Sequence, residues 1–380
     1  MRITGMDIWP VQMPYKKPFT TSRGTVSQGI SVIVKVLTDR ATVGVGEASI
    51  IFPDRSGETQ ATVVDVLQHG FGPALLGKDP FDLESIMESL NSIGSDRYSF
   101  PYSKCAVDHA LYDLMGKALG VPVYKLIGGI FRRQIGVGRS LSIQPETDLA
   151  VDAKEKKEAG YKMLTLKGSC DWQGDIHRFM AVRQAVGRNF PLEIDPNQAY
   201  SVKQAIRVAR TLEQHGLANI EQPCAWWDLD GMAEIRRSVS VPITADESVH
   251  SPVDAMRVVK NAAADMITIK LACSGGIFFA RKKVAIAEAG GLSCNVGSKH
   301  TLGVGTAAII HFAAATPVVE EPIGYGSPLE RFVDDVIVET IPLREGTVEV
   351  FDAPGLGVTL DETKLRQYAL GGPYRVRGEG

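Results

Sequence analysis

Phe190-Pro-Leu-Glu-Ile-Asp195 is a short apolar run closed by an acid, and the pattern returns as Leu217-Ala-Asn-Ile-Glu221 and Val241-Pro-Ile-Thr-Ala-Asp246. Glu221 stands 26 residues after Asp195, and Asp246 stands 25 after Glu221. Each run has the length and the branched apolar content of a strand. The same step backward reaches Met163-Leu-Thr-Leu-Lys167, and forward it reaches Met266-Ile-Thr-Ile-Lys270. Two further steps land on Asn295 and Glu320. Between these runs lie helical stretches at 148–160, 175–186, 201–215, 229–238, 252–261, 276–289 and 303–315, several ended by a capping glycine. Strands alternating with helices make a parallel sheet. An open doubly wound sheet shares that alternation but gathers its functional residues at a switch point. Polar residues ending consecutive strands are instead the pattern of a closed β/α barrel, with seven or eight units between 135 and 325.

Outside the repeat the pattern differs. Residues 1–48 alternate apolar and polar and predict a β-meander, with loops at 16–24 and 50–57. Residues 57–127 predict three helices, the last stopped by Gly120 and Pro122. Residues 326–380 lose the repeat, and 334–341 reads as a strand. The division is therefore 1–125, an α+β domain; 126–325, an α/β barrel; and 326–380, a tail that packs back on the first domain.

The net charge of −3 and the lack of a basic stripe with interleaved aromatics speak against a nucleic-acid partner. No apolar run approaches the ~20 residues of a membrane span. The first ten residues lack the pattern of a signal peptide. Five widely spaced cysteines give no metal-ligand or disulfide pattern. The expectation is a cytoplasmic protein acting on a small molecule.

Three carboxylates on one face of a barrel cannot all stay ionised without a cation, because like charges raise one another's pKa. An all-oxygen set suits a hard divalent ion, Mg²⁺ first and Mn²⁺ second, and no His or Cys at these positions argues for zinc. Asn197, two residues after Asp195, is placed to orient ligand or water. Glu247 should point away from Asp246 by strand alternation. If Lys167 ends the second strand and Lys270 the sixth, their ammonium groups face each other across the metal. Burial and a nearby cation would lower their pKa and make them usable bases. Such a set can remove the α-proton of a carboxylate, with the metal stabilising an ene-diolate.

These motifs resemble the enolase superfamily, and within it the muconate-lactonizing-enzyme subgroup. The resemblance runs through Gly160-Tyr-Lys-Met-Leu-Thr-Leu-Lys-Gly, Ile194-Asp-Pro-Asn-Gln, Ile220-Glu-Gln-Pro, Ala245-Asp-Glu-Ser and Ile269-Lys-Leu-Ala-Cys-Ser-Gly-Gly, with Asp108-His-Ala-Leu-Tyr-Asp and Leu126-Ile-Gly-Gly before them. It implies a modified (β/α)7β TIM-type barrel with an N-terminal α+β capping domain completed by the C-terminal tail. It implies Mg²⁺ on Asp195, Glu221 and Asp246, with Lys167 and Lys270 as acid and base. Two opposed lysines imply racemisation, epimerisation or cycloisomerisation; β-elimination uses the same scaffold. A Schiff-base aldolase leaves the acids unexplained, and a non-catalytic barrel leaves acids and lysines unexplained. In the family, capping-domain loops close over the substrate, which points to Thr21 and Phe52 here. Dimers and octamers are common in the family, so a homo-oligomer is compatible with the resemblance.

The subgroup's second strand carries Lys-X-Lys, whereas this chain has Thr165-Leu-Lys167. Thr165 removes a charge beside the substrate carboxylate, and is expected to mark altered substrate use. Trp226, after the fourth strand, Asn295 on the seventh and Glu320 at the end of the eighth complete the expected substrate contacts.

Overall fold

The computed structural model describes residues 1–51 and 55–378. Strands β1 (Ile3–Thr21), β2 (Gly24–Thr38) and β3 (Val43–Ile50) form an antiparallel meander. The segment 16–24, expected as a loop, is instead the tip of the β1–β2 hairpin. After an irregularity between Pro14 and Phe19, pairing resumes as Phe19↔Val26, Thr20↔Thr25 and Thr21↔Gly24. Pro14 and Pro18 lack the amide hydrogen a regular ladder needs there. The tip leans on the barrel: the Ile143 amide donates to the Thr20 carbonyl at 3.0 Å, and Ser22 Oγ to the Pro196 carbonyl at 2.8 Å.

The helix Pro101–Leu119 is buried along all of residues 101–116. A helix buried all round is not amphipathic, which suits one sandwiched between two layers. On one side it lies so close to β3 that a Cβ at Gly46 would stand 1.9 Å from the Ala106 carbonyl oxygen. On the other, Asp108 accepts from the amides of Ile277 (2.6 Å) and Phe278 (3.0 Å), the N-terminus of the barrel helix Ile277–Ala289. Glu47 of β3 similarly accepts from the amides of Leu302 and Gly305 at the start of the helix Gly303–Ala315. Both acids satisfy orphan helix amides and lock the two domains together.

β4 (Gln134–Gly136) enters the second domain. Then come β5 (Gly138–Leu141), β6 (Met163–Lys167), β7 (Leu192–Asp195), β8 (Leu217–Glu221), β9 (Ile243–Ala245), β10 (Met266–Ile269) and β11 (Ser293–Val296). The seven strands β5–β11 pair in sequence order, all parallel. Residues 318–324 close the circle. The Glu320 amide donates to Cys294 O at 2.7 Å and the Gly324 amide to Val296 O at 2.8 Å; on the other edge Gly138 N donates to Ile323 O at 2.8 Å. A helix follows each of the seven strands and none follows the closing segment before residue 327, which is the (β/α)7β plan among the described residues. Local chemistry sets the helix starts: Ser201 with Gln204 and Ser251 with Asp254 form capping boxes.

The tail contributes β12 (Thr347–Glu349), antiparallel to β4, and β13 (Tyr374–Arg377), antiparallel to β1. Residues 334–341, expected as a strand, make only the single bridge Ile337↔Leu360. Backbone bonds from Val338 N to Thr359 O and from Asp361 N to Val336 O, both 2.9 Å, flank that bridge, and Asp335 caps the amides of Gly303 and Val336, so the pairing does not extend into a ladder. No helix among the described residues is long and apolar enough to cross a membrane. The five cysteines are free, with only Cys170 exposed.

His311 fixes the tail to the barrel, donating from Nε2 to the Leu356 carbonyl at 3.1 Å. Burial holds its imidazole down at about 4. A pKa below the unfolded value gives stability that is complete above pH 6.5 and lost as pH falls toward 4. We expect the denaturant midpoint to drop over that window, by up to about 3 kcal/mol of stability from this one group. His311→Gln, which keeps a donor but does not titrate, should flatten that limb of the pH series; an unchanged limb would rule His311 out as its source.

Candidate active site

The acids and lysines meet at the C-terminal mouth of the barrel. Parallel pairing puts Lys167 opposite Asp195, and the Lys167 ammonium forms an ion pair with Asp195 Oδ2. Lys270, the residue after β10, pairs with Asp246 Oδ2, the residue after β9. Glu221 ends β8 and accepts from Thr268 Oγ1 at 2.7 Å. Asn197 has φ of 46° and Gln198 of 76°, a left-handed turn that folds the chain back over the strand end. There Asn197 donates its amide to Asp195 Oδ1 (2.8 Å), and its side-chain NH₂ to Asp195 Oδ2 (3.0 Å) and Glu247 Oε1 (3.1 Å).

Glu247 therefore points into the site, against expectation. β9 ends at Ala245, so the strand alternation that would have turned Glu247 away no longer applies. Gln222 gives no signal in the strand-end spacing; with φ of 36° it accepts the amides of Asp246 (2.9 Å) and Ser248 (3.0 Å), and so fixes the turn that delivers both acids.

The electrostatics are those of crowded acids in a dry place. Burial, then Asp195 and Asp246, push the Glu221 carboxyl well above its ordinary value. Burial, then the same two aspartates, bring Glu247 to about 7. Burial also works against the charge on Lys167 and Lys270, but Asp195 and Glu221 for the first, and Asp246 and Glu221 for the second, leave both raised. The expected lowering is thus not seen, because each ammonium is the counter-ion of its acid. The three carboxylates do not converge on one point as they stand: Asp195 and Asp246 are turned to lysines and Glu221 to Thr268. The donor set nevertheless fits a hard divalent cation, being oxygen only, buried, and mutually repelling until neutralised.

Two small cavities, of about 60 and 70 Å³, share Lys167, Lys270, Ser298 and His300 in their walls. Thr21 and Asn197 line the first; Thr165 and Asn295 line the second. Larger surface hollows of about 600 Å³ contain none of the acids and lysines and are not the site. Thr165 Oγ1 donates to Glu193 Oε2 at 3.1 Å, and Asn219 donates to the other oxygen of Glu193 at 3.2 Å. A second lysine at 165 would have stood beside Glu193, which burial brings to about 7 with only neutral partners at hydrogen-bond distance.

Two expected substrate contacts lie elsewhere. Glu320 is exposed, pairing near the start of the closing strand, whose mouth end is Gly324. Its neighbour Glu321 pairs with Arg132 at 3.6 Å. Trp226 sits on the rim, 37% exposed, with the Arg55 guanidinium 4.3 Å from its ring centre, and lines neither small cavity. Phe52 lies outside the described residues.

Comparison with known proteins places the chain in a family. Residues 3–128 match the mandelate racemase / muconate lactonizing enzyme N-terminal domain, and residues 148–364 match the enolase C-terminal domain-like family. An L-Ala-D/L-Glu epimerase of Clostridium acetobutylicum is 34% identical, over 94% of this chain and 99% of its own. An N-succinyl-L-Arg/Lys racemase of Bacillus cereus is 32% identical over 97% and 98%, and a muconate cycloisomerase of Rhodococcus opacus 31% over 97% and 98%. The solved structure of the Bacillus cereus racemase matches all of this chain and all of its own at a TM-score of 0.94 and 30% identity. A dipeptide epimerase of Enterococcus faecalis, solved with Mg and L-Leu-L-Tyr, matches at 0.89 and 32%, over 94% of this chain and all of its own. The chain belongs to the mandelate racemase/muconate lactonizing enzyme family of the enolase superfamily, and its relatives are isomerases.

Proposed function

We propose that the protein is a Mg²⁺-dependent racemase or epimerase that exchanges the α-proton of a small carboxylate substrate. One observation carries this reading: Lys167 and Lys270 stand on the second and sixth of eight strands, opposite each other on one cavity, with three strand-end acids between them. A base on each face of the α-carbon is what a proton transfer with inversion needs, because one face loses the proton and the other receives it.

Asp195, Glu221 and Asp246 would hold the cation. Bound there, a divalent cation would supply neutralisation of these acids and Lewis-acid stabilisation of the charge that develops on the substrate carboxylate. The chain's own groups do the rest. With Asp195 and Asp246 turned from the lysines to the cation, the cause that raises both ammonium groups would be removed; one lysine, unprotonated, would then take the proton and the other, protonated, would return one. Asn197 and Thr268 hold Asp195 and Glu221 in place. Phe19 and Thr21 of the hairpin tip cover the cavity and exclude water.

The test is solvent deuterium exchange at the α-carbon, followed by ¹H NMR over dipeptides, N-acyl amino acids and other α-substituted acids. Exchange is expected with Mg²⁺ and should fall at least ~100-fold after chelation, the order that losing electrostatic stabilisation of the developing charge costs. No exchange from any of these acids would defeat the proposal, and lactone formation from cis,cis-muconate without exchange would move it to cycloisomerisation.

A further inference from the structure

Arg331 has no role in the chemistry above, and its surroundings do not explain why a cation is there. It is only 7% exposed and follows the short turn Pro328–Glu330, beyond the closing strand. Its Nε–H is buried without an acceptor. Among the described residues no carboxylate forms an ion pair with it. Its guanidinium lies 4.2 Å from the ring centre of Phe19 and 5.7 Å from that of Tyr15. Stacking of this kind returns less than an unpaired buried cation costs.

A second guanidinium makes the imbalance worse. Arg139 of β5 is near enough to depress Arg331 electrostatically; burial first, then Arg139, bring Arg331 down to about 9. Among the described residues Arg139 is itself bonded only to the Glu330 carbonyl, at 2.9 Å. The Glu330 carboxylate is turned away, accepting from Tyr161 at 2.7 Å. His300, adjacent in the wall, is kept neutral by burial and by these two arginines, so it adds no third positive charge. Two guanidiniums thus stand close together, Arg331 buried and Arg139 half-buried, and among the described residues no carboxylate forms an ion pair with either.

The location says what the anion is attached to. Arg331 lines the same cavity of about 70 Å³ as Lys167 and Lys270. The metal-binding acids stand on the third to fifth strands, whereas Arg331 and Arg139 flank the eighth and first, across the mouth. A molecule fixed by its carboxylate near the acids, with its α-carbon between the lysines, directs its far end to Arg331. Arg331 and Arg139 also line the outer hollow of about 610 Å³, which leaves room beyond.

We infer that Arg331 receives a second carboxylate of the substrate, so that the protein acts on α-substituted acids whose remote end also carries a negative charge. This rests on the α-proton chemistry proposed above. The planar fork of the guanidinium matches a carboxylate in two parallel hydrogen bonds, and Arg139 reinforces the field from behind. The bare guanidinium would then be preorganised for a group that arrives with the substrate.

Two measurements separate this inference from the reading beneath it. The first is calorimetric binding to the Mg²⁺-loaded protein of dicarboxylates from succinate to adipate, each against the monocarboxylate of equal length. At least one diacid should bind ten or more times tighter than its partner, an order typical of one charge-assisted pair. Arg331→Met should bring that ratio within about twofold while leaving monoacid binding unchanged. Arg331→Lys keeps the charge without the fork and should recover part of it; it also serves if the Met variant does not fold. No diacid preference at any length, or a preference that survives Arg331→Met, overturns the inference. The second measurement is α-deuterium exchange on N-succinyl and N-butyryl amino acids, which differ by the terminal carboxylate. The succinyl member should exchange with at least 100-fold higher kcat/KM, a preference lost in Arg331→Met. Equal rates overturn the inference and leave the α-proton chemistry standing. Arg331-dependent diacid binding without any exchange does the reverse.

Discussion

Lys270→Ala is expected to abolish α-proton exchange from one enantiomer of a substrate, by at least ~10³-fold, while exchange from the other enantiomer survives. Lys167→Ala should show the opposite preference. The argument is geometric. Each lysine reaches the α-carbon from its own side of the barrel, so each can remove only the proton that faces it. Racemisation needs both and should vanish in either variant. Neither change removes a carboxylate, so Mg²⁺ binding by calorimetry should persist. It should even strengthen, because Asp246 loses an ammonium that competes with the metal. The measurement is ¹H NMR exchange on each pure enantiomer. If both variants exchange both enantiomers, two-base catalysis is wrong; if Lys270→Ala loses metal binding instead, the lysine is structural.

Glu221→Gln should stabilise the metal-free protein and remove its response to Mg²⁺. Glu221 is buried between two aspartates, and burial followed by those aspartates holds its pKa far above the ordinary carboxylate range. With the folded value raised, its contribution is intact below the unfolded pKa and is lost as pH rises through the folded one. At alkaline pH without metal the ionised form therefore opposes folding. Glutamine keeps the shape and can still accept from Thr268, so the metal-free melting temperature at pH 8.5 should rise by about 2–4 °C. In the wild type, Mg²⁺ at a hundredfold its Kd should add about 2.7 kcal/mol. In the variant one charged ligand is missing, and that increment should nearly disappear. Thermal melts with and without Mg²⁺ decide it: a lower metal-free melting point, or a full Mg²⁺ response, contradicts the assignment of Glu221 as a ligand.

The strand-end acids and lysines were legible because parallel pairing translates a regular chain spacing into a common height. Lys167↔Asp195 is a register pair, and that register is implicit in the repeat. Legibility ends where the regularity stops. Glu247 follows a three-residue strand, too short for alternation to reach past its end. Glu320 was placed by counting, but the closing segment begins later in its unit, so the count ends near the wrong rim. Residues 334–341 have strand composition, yet Asp335 is spent on capping. Arg331 had no periodic neighbour to reveal it: it belongs to the site only because the chain beyond the barrel folds across the mouth, a tertiary fact without a local signal.

The pairing of β13 with β1 also fixes an order of events during synthesis. Residues 5–8 pair early with residues 34–37 of β2 on one side, but find their partners on the other side only when residues 374–377 follow. At about 5–20 residues per second that interval is on the order of 20–70 s. Throughout it β1 presents an unpaired edge, carrying Met6 and Ile8, which are both buried once folding is complete. The barrel can finish first, so the nascent chain passes through a form with a completed catalytic mouth beneath an unfinished sheet. Pulse-labelled chains released before residue 374 should therefore associate with chaperones more than chains released after it.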